Sequence, residues 1–85
     1  MMARYDILYF AWLRERIATP REQVESAAVT VADLVAELRA RSPRHAAAFA
    51  DLAAVRVALD QDLVGMDAPL AGGREIAFFP PMTGG

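Results

Sequence analysis

The last ten residues of the chain, 76–85, constrain its fold more than any other stretch. They begin as a strand, because Ile76, Phe78 and Phe79 fit a half-buried pleated surface. Two prolines then end sheet pairing, since proline has no backbone N–H and its fixed φ favours an extended exit. From Pro80 onward the chain can project about 20 Å, at roughly 3.3 Å per residue, and cannot form a core. The sequence therefore predicts a strand that leaves the domain as a thin tail.

The tail ends in Gly84 and Gly85, and this ending suggests a function. A peptide without side chains can enter a slot that is too narrow for any other residue. The alternative is a frayed terminus without a role, as most termini are. The rigid Phe-Phe-Pro-Pro sequence before the glycines favours the functional interpretation.

Composition excludes several classes of function. The 85 residues include no cysteine, so the chain has no disulfide and no thiol nucleophile. His45 is the only histidine, which argues against a metal site, and we expect it to be exposed in the first turn of a short helix. Every one of the nine basic residues is arginine, so no lysine is present to form a Schiff base or to accept a ubiquitin-like bond.

The charge and hydropathy patterns indicate a soluble cytoplasmic protein. The net charge is −2 and no basic run is present, which argues against binding to nucleic acid. No apolar stretch approaches the 18 or so residues of a membrane span, and no signal peptide is recognisable. We therefore expect neither a nucleic-acid partner nor a membrane.

Strand-like and helical segments alternate in a way that is typical of an α+β domain. The segment 30–41 is the clearest helix, with Thr30 as N-cap and Asp33 completing a capping box. Glu37 and Arg41 predict an exposed i, i+4 ion pair on it. Its apolar residues fall on one face: Val31, Leu34, Val35 and Leu38. The other predicted helices are 11–17 and 43–52, and the predicted strands are 4–10, 22–29, 54–59, a short return at 63–64, and the strand that begins at residue 76.

Three segments resemble one known family, that of the small, sulfur-carrying subunits of molybdopterin synthase (molybdopterin-converting factor subunit 1). They are 69–85, which ends in Phe-Phe-Pro-Pro-Met-Thr-Gly-Gly, 8–15, and 57–64. The resemblance implies a β-grasp, ubiquitin-like fold: a mixed sheet, a main helix packed on one face and a flexible C-terminal Gly-Gly tail. It implies one domain over 1–85, with 80–85 extended, and the first and last strands adjacent and parallel.

The resemblance also implies a chemical role for the terminus. A carboxylate at Gly85 is ionised at neutral pH and accepts nothing without activation. In the family an adenylating enzyme related to ubiquitin activators uses ATP on this group, and a sulfurtransferase converts it to a thiocarboxylate. The tail then donates sulfur to cyclic pyranopterin monophosphate in the large synthase subunit, where the dithiolene forms. The small subunit binds no cofactor, and the catalytic residues belong to the large subunit of a heterotetramer.

By the same resemblance, a set of residues is expected to contact the partners. Gly84 provides the thin segment that enters the active site. Arg14 is a polar candidate at the rim, Leu63 fits either the core or an interface, and the interface is favoured for Phe79. The full set is Phe10, Arg14, Leu63, Phe79, Pro80, Pro81, Met82 and Thr83.

Two positions depart from the family pattern, and three other functions stay open. Asp60 stands where the family often has Asn, and Arg74 where it often has Asp. The alternatives are a sulfur carrier for thiamine or cysteine synthesis, a ubiquitin-like protein modifier, and an interaction module with an inert tail.

Overall fold

The computed structural model describes residues 2–81. Its elements, in chain order, are β1 (Ala3–Tyr9), α1 (Trp12–Ile17), β2 (Arg21–Ser26), α2 (Val31–Arg41), α3 (Pro43–Ala48), a 3-10 turn (Leu52–Ala54), β3 (Arg56–Leu59), β4 (Asp62–Val64) and β5 (Glu75–Phe79).

The five strands form one mixed sheet in the order β2-β1-β5-β3-β4. β1 and β5 are parallel, with Tyr9 opposite Phe78, and the other neighbouring strands are antiparallel. The first and last strands thus lie side by side, and the chain leaves the sheet from its central strand, β5. The expected α+β arrangement, with parallel first and last strands, is confirmed.

α2 begins where its sequence predicts. The Thr30 hydroxyl accepts from the Asp33 N–H at 3.2 Å, and the Asp33 carboxylate accepts from the Thr30 N–H at 3.2 Å. This reciprocal pair satisfies two of the backbone donors that a helix start leaves open. Ser42 ends α2 and caps α3, with Pro43 at its first position.

The core lies between the helices and one face of the sheet. Its centre is aromatic: the rings of Phe49 and Phe78 meet edge to face at 4.9 Å, and the Tyr9 ring is 6.2 Å from that of Phe78. Edge-to-face pairs of this kind add about 0.5–1.5 kcal/mol to the burial of their area. Because no described helix packs on the other face of the sheet, we call it the open face.

Several boundaries and contacts differ from the sequence-based expectation. β2 ends at Ser26 rather than at 29, because the Ser26 hydroxyl accepts from the Ala28 N–H and turns the chain. β3 begins two residues late, since the Asp51 carboxylate caps the 3-10 turn through the Ala53 N–H. The predicted pair of Glu37 with Arg41 does not form: Glu37 accepts from Ser26, and Arg41 lies 3.7 Å from Glu22.

Candidate docking face and tail root

The tail root, which we define as Phe79, Pro80 and Pro81, is where the central strand ends. All three residues are half-buried. Phe79 is still paired with Arg56 of β3, and the two prolines that follow have no N–H to continue the ladder. The strand therefore stops pairing at its C-terminal end, after Phe79, as its sequence predicts. Met82, Thr83, Gly84 and Gly85 lie outside the described residues.

An apolar row crosses the open face next to this root. The register places Leu8, Ala77, Ala58 and Leu63 side by side on β1, β5, β3 and β4. Residues directly opposite one another on neighbouring strands share a face of the sheet, so the four side chains form a continuous strip. Leu63 is 70% exposed at its outer end. A leucine this exposed at the end of an apolar strip is typical of an interaction surface, and Leu63 is no core residue.

Phe78 and Phe79 are adjacent but point to opposite faces, because side chains alternate along a strand. Phe78 is fully buried in the core, whereas Phe79 is half-buried on the open face. Phe10 directly follows β1 and is 48% exposed, and its N–H donates to the Phe78 carbonyl at 3.1 Å. The structure therefore brings Phe10 and Phe79 to the same end of the sheet.

Arg14 borders this end rather than joining the row. It is exposed on α1, the helix that starts two residues after Phe10, while Leu13 and Ile17 of the same helix are buried.

Arg56 is a residue of this end of the sheet that was not predicted from the sequence. It is exposed on the open face directly opposite Phe79, and only the register of β3 against β5 reveals this position.

The segment before β5 is held by the β3–β4 turn. Asp60 and Gln61 have φ values of 48° and 73°, which is the two-residue hairpin geometry that favours Asp and Asn. The Asp60 carboxylate accepts from the N–H groups of Glu75 at 2.9 Å and Arg74 at 3.1 Å. These two hydrogen bonds, the one from Glu75 first, hold the pKa of Asp60 below its usual value. The departure from Asn at this position thus supplies an anionic anchor for the start of the central strand.

The titratable network of the molecule lies on the helix side of the sheet. Glu22 Oε2 accepts from the Tyr9 hydroxyl at 2.7 Å and from His45 Nε2 at 2.7 Å, and Ser42 Oγ lies 2.7 Å from His45 Nδ1. His45 is only 8% exposed, so the expectation of an exposed histidine was wrong. The reason is that Glu22, on β2, provides a part-buried acceptor for the His45 ring where α3 packs on the sheet.

The environment of this network shifts two pKa values. Burial raises the pKa of Tyr9, and the hydrogen bond to Glu22 and the charge of Glu22 raise it further. For Glu22, burial alone would raise the pKa, but the hydrogen bonds from His45 and Tyr9 and the charges of His45 and Arg41 outweigh burial and lower it. The neutral Tyr9 and the ionised Glu22 are therefore structural partners. They lie on the side of the sheet away from the open face.

The residues described between 2 and 81 contain no group of three or more His, Cys, Asp or Glu side chains that could hold a metal ion. None of the helices in that part of the chain is long and apolar enough to cross a membrane. The apolar strip, together with the strand that ends beside it at the tail root, supports docking of a partner on the open face.

Comparison with known proteins agrees with this architecture. Residues 7–85 match the model of the ThiS family. The chain belongs to the ThiS family. One relative of this ThiS-family chain is the molybdopterin synthase sulfur carrier subunit of Escherichia coli (strain K12), 42% identical over 79 residues, which cover 93% of this chain and 96% of that protein. A second is the subunit of the same name from Haemophilus influenzae, 36% identical over 80 residues, 94% of this chain and 98% of that protein.

Among solved structures, this ThiS-family chain is similar to the small archaeal modifier protein 1 of Haloferax volcanii. The TM-score is 0.77 at 24% identity, over 94% of this chain and 99% of that one. At this identity the likeness shows the fold alone. It confirms the ubiquitin-like β-grasp arrangement expected from the sequence.

Proposed function

We propose that this chain is the sulfur carrier subunit of a molybdopterin synthase in molybdenum cofactor biosynthesis. The observation that carries the proposal is the similarity over nearly the full length of both proteins to two sulfur carrier subunits, at 42% and 36% identity. In this function the chain is the non-catalytic small subunit of an enzyme complex, and the large subunit is its main partner.

The chemistry takes place at the terminal carboxylate. An adenylating enzyme transfers AMP from ATP to the Gly85 carboxylate and releases pyrophosphate. A sulfurtransferase then delivers sulfur at the oxidation level of sulfide, which attacks the acyl adenylate and displaces AMP. The sulfur of the resulting thiocarboxylate forms a bond to cyclic pyranopterin monophosphate. Water then cleaves the C–S bond to the terminus, which leaves the sulfur on the pterin and returns Gly85 to a carboxylate. The chain needs no bound cofactor for these steps, because ATP is consumed by the activating enzyme, and the need for ATP places the cycle in the cytoplasm. The sequence supports this role, since a chain without cysteine has no side chain that carries sulfur as a thiol or persulfide.

The docking face, which we define as the exposed residues around the tail root on the open face, positions the tail for these reactions. The exposed Leu63 and Phe10 and the half-buried Phe79 present apolar area around the tail root. Aromatic residues at the centre of an apolar patch are typical anchors of protein interfaces. Pro80 and Pro81 stiffen the exit, which lowers the entropy that the tail loses on insertion. Met82, Thr83 and Gly84 complete the segment that enters the partner, and Arg14 contacts it at the rim.

The test is the intact mass of the chain after incubation with ATP, the adenylating enzyme and a sulfur donor. We expect a species heavier by one sulfur-for-oxygen exchange, located at Gly85, which converts the pterin precursor when the large subunit is added. A variant with one alanine added after Gly85 is the matched control, because it keeps the fold and the docking face. Sulfur transfer by this extended variant, or an unmodified wild-type chain under the full set of conditions, would overturn the proposal.

Three further measurements separate the alternative functions. A protein modifier would instead appear in isopeptide bonds to lysines of other proteins, and a carrier for another pathway would be thiolated but inactive with the large subunit. A module with an inert tail would tolerate deletion of Gly85. The likeness to an archaeal modifier concerns the fold and gives no support of its own to the modifier function.

A further inference from the structure

Arg56 differs from the other arginines of the open face in its charged neighbours. Arg4 lies 3.2 Å from Glu25, and Arg21 lies 3.8 Å from Asp6, so the arginines near β1 and β2 have carboxylate partners. Arg56 has none within ion-pair distance among residues 2–81. It is exposed, and it lies opposite Phe79 at the end of the sheet where the tail leaves.

A partner that covers Phe79 also covers Arg56, because residues directly opposite on antiparallel strands are neighbours about 5 Å apart. Burying an unpaired guanidinium is costly, whereas a carboxylate can pair with it through two parallel hydrogen bonds. The partner surface must therefore offer an acceptor at this point, and a carboxylate fits the planar guanidinium best.

The position of Arg56 also argues against a direct part in the sulfur chemistry. The six residues from Pro80 to Gly85 span about 20 Å when fully extended. When the tail is inserted in this form, its terminus reacts far beyond the reach of an arginine side chain at the tail root. Arg56 therefore does not reach the phosphates of ATP or of the pterin precursor at the reacting terminus. It does reach a residue on the partner surface that covers the tail root.

We propose that Arg56 is a specificity-determining residue of the docking face, which pairs with an acidic side chain of the large subunit beside the opening that receives the tail. This inference rests on the proposed function, since it assigns the recognition of the large subunit to one charge. The apolar strip supplies contact area that many partners could match, and Arg56 supplies the charge that selects among them.

The experiment measures the affinity of the full chain for the large subunit with three variants. Arg56→Met keeps most of the stem and removes the charge, and Arg56→Glu reverses the charge. Arg44→Glu makes the same reversal at an exposed position of α3, on the helix side of the sheet. We expect a loss of affinity of about thirtyfold or more for Arg56→Met and a larger loss for Arg56→Glu, as for truncation of one member of a buried interfacial charge pair. Arg44→Glu should stay within about twofold of wild type.

Two further measurements sharpen the test. Raising the salt concentration from about 0.05 to 0.5 M should weaken wild-type binding more than binding of Arg56→Met, since salt screens the attraction between the two charges as the proteins approach. Substituting the acidic residues of the large subunit by lysine one at a time should identify one variant that restores binding of Arg56→Glu. Melting temperatures of the variants close to that of wild type show that the fold is kept.

The outcomes distinguish this inference from the function on which it rests. Wild-type affinity for Arg56→Met would show that the aliphatic stem is sufficient and would overturn the role of the charge. Equal losses for Arg56→Glu and Arg44→Glu would do the same, because they would reflect net charge only. If the wild-type chain fails both to bind the large subunit and to accept sulfur, the proposed function and the role of Arg56 fall together.

Discussion

Glu22 is the residue whose removal tests the internal network most directly. One carboxylate oxygen accepts from both the Tyr9 hydroxyl and the His45 ring, each at 2.7 Å. Glu22 lies on β2, an edge strand, while Tyr9 lies on β1 and His45 on α3. The network therefore ties an edge strand to the neighbouring strand and to the helix layer, and Glu22→Ala removes the acceptor that they share.

The size of the effect follows from the two hydrogen bonds. Each hydrogen bond to a charged group contributes about 1.5–3 kcal/mol, and the side chain of Glu22 is 20% exposed, which favours the lower half of that range. We therefore expect Glu22→Ala to lower the free energy of unfolding by about 3 kcal/mol. For a domain of this size the melting temperature falls by about 4–8 °C per kcal/mol, which gives a drop of about 12–24 °C.

Thermal unfolding followed by circular dichroism measures this effect. Glu25→Ala is the matched control on the same strand: it removes an exposed ion pair with Arg4, which is worth at most about 1 kcal/mol. Glu22→Gln keeps an acceptor oxygen without the charge and should lie between wild type and Glu22→Ala. A drop below about 4 °C for Glu22→Ala, or one no larger than for Glu25→Ala, would refute the view that Glu22 holds the network.

Other expected outcomes concern the same network and the two faces of the sheet. Because the folded state lowers the pKa of Glu22, its stabilising effect is present above the unfolded pKa of about 4.3 and is lost as pH falls through the folded pKa. Denaturant unfolding between about pH 5 and 3 should therefore show a smaller loss of stability for Glu22→Gln than for wild type. Tyr9→Phe removes one donor and should cost about 1–2 kcal/mol in the same assay. Phe78→Ala should cost about 3–5 kcal/mol as a core truncation, whereas Phe79→Ala should lower the affinity for the large subunit with a much smaller loss of stability; the opposite order would reverse the assignment of the two faces. Gly72→Ala places a side chain at φ 77° in open space and should cost about 1–2 kcal/mol in thermal unfolding, from backbone strain alone.

Much of the fold follows from local patterns in the sequence. The capping box at Thr30 fixes the start of α2, and the two prolines fix the end of β5. The parallel pairing of the first and last strands came from the family resemblance, since no local pattern encodes which strands become neighbours. The errors of three residues at the end of β2 and two residues at the start of β3 arose where the side chains of Ser26 and Asp51 hydrogen-bond to the local backbone, because such bonds compete with strand pairing.

The candidate site was less predictable, because it depends on register. Strand alternation alone separates Phe78 from Phe79, and the exposed Leu63 fits its expected place on the hairpin. The position of Arg56 could not be predicted from the sequence, because no local pattern shows that the register of β3 against β5 places it opposite Phe79. The burial of His45 was missed for the same reason: its partner Glu22 is distant in the sequence and meets it only through the packing of α3 on the sheet.

The central position of β5 determines how the molecule bears mechanical load. β5 is bonded on one side to β1 and on the other to β3, and Pro80 follows directly after its last residue, Phe79. A pull on the tail therefore acts along both ladders at once, in shear, so that their hydrogen bonds share the force. An edge strand pulled outward would instead peel, with its bonds breaking one after another. A force applied to the tail must therefore break both ladders together before the sheet unfolds.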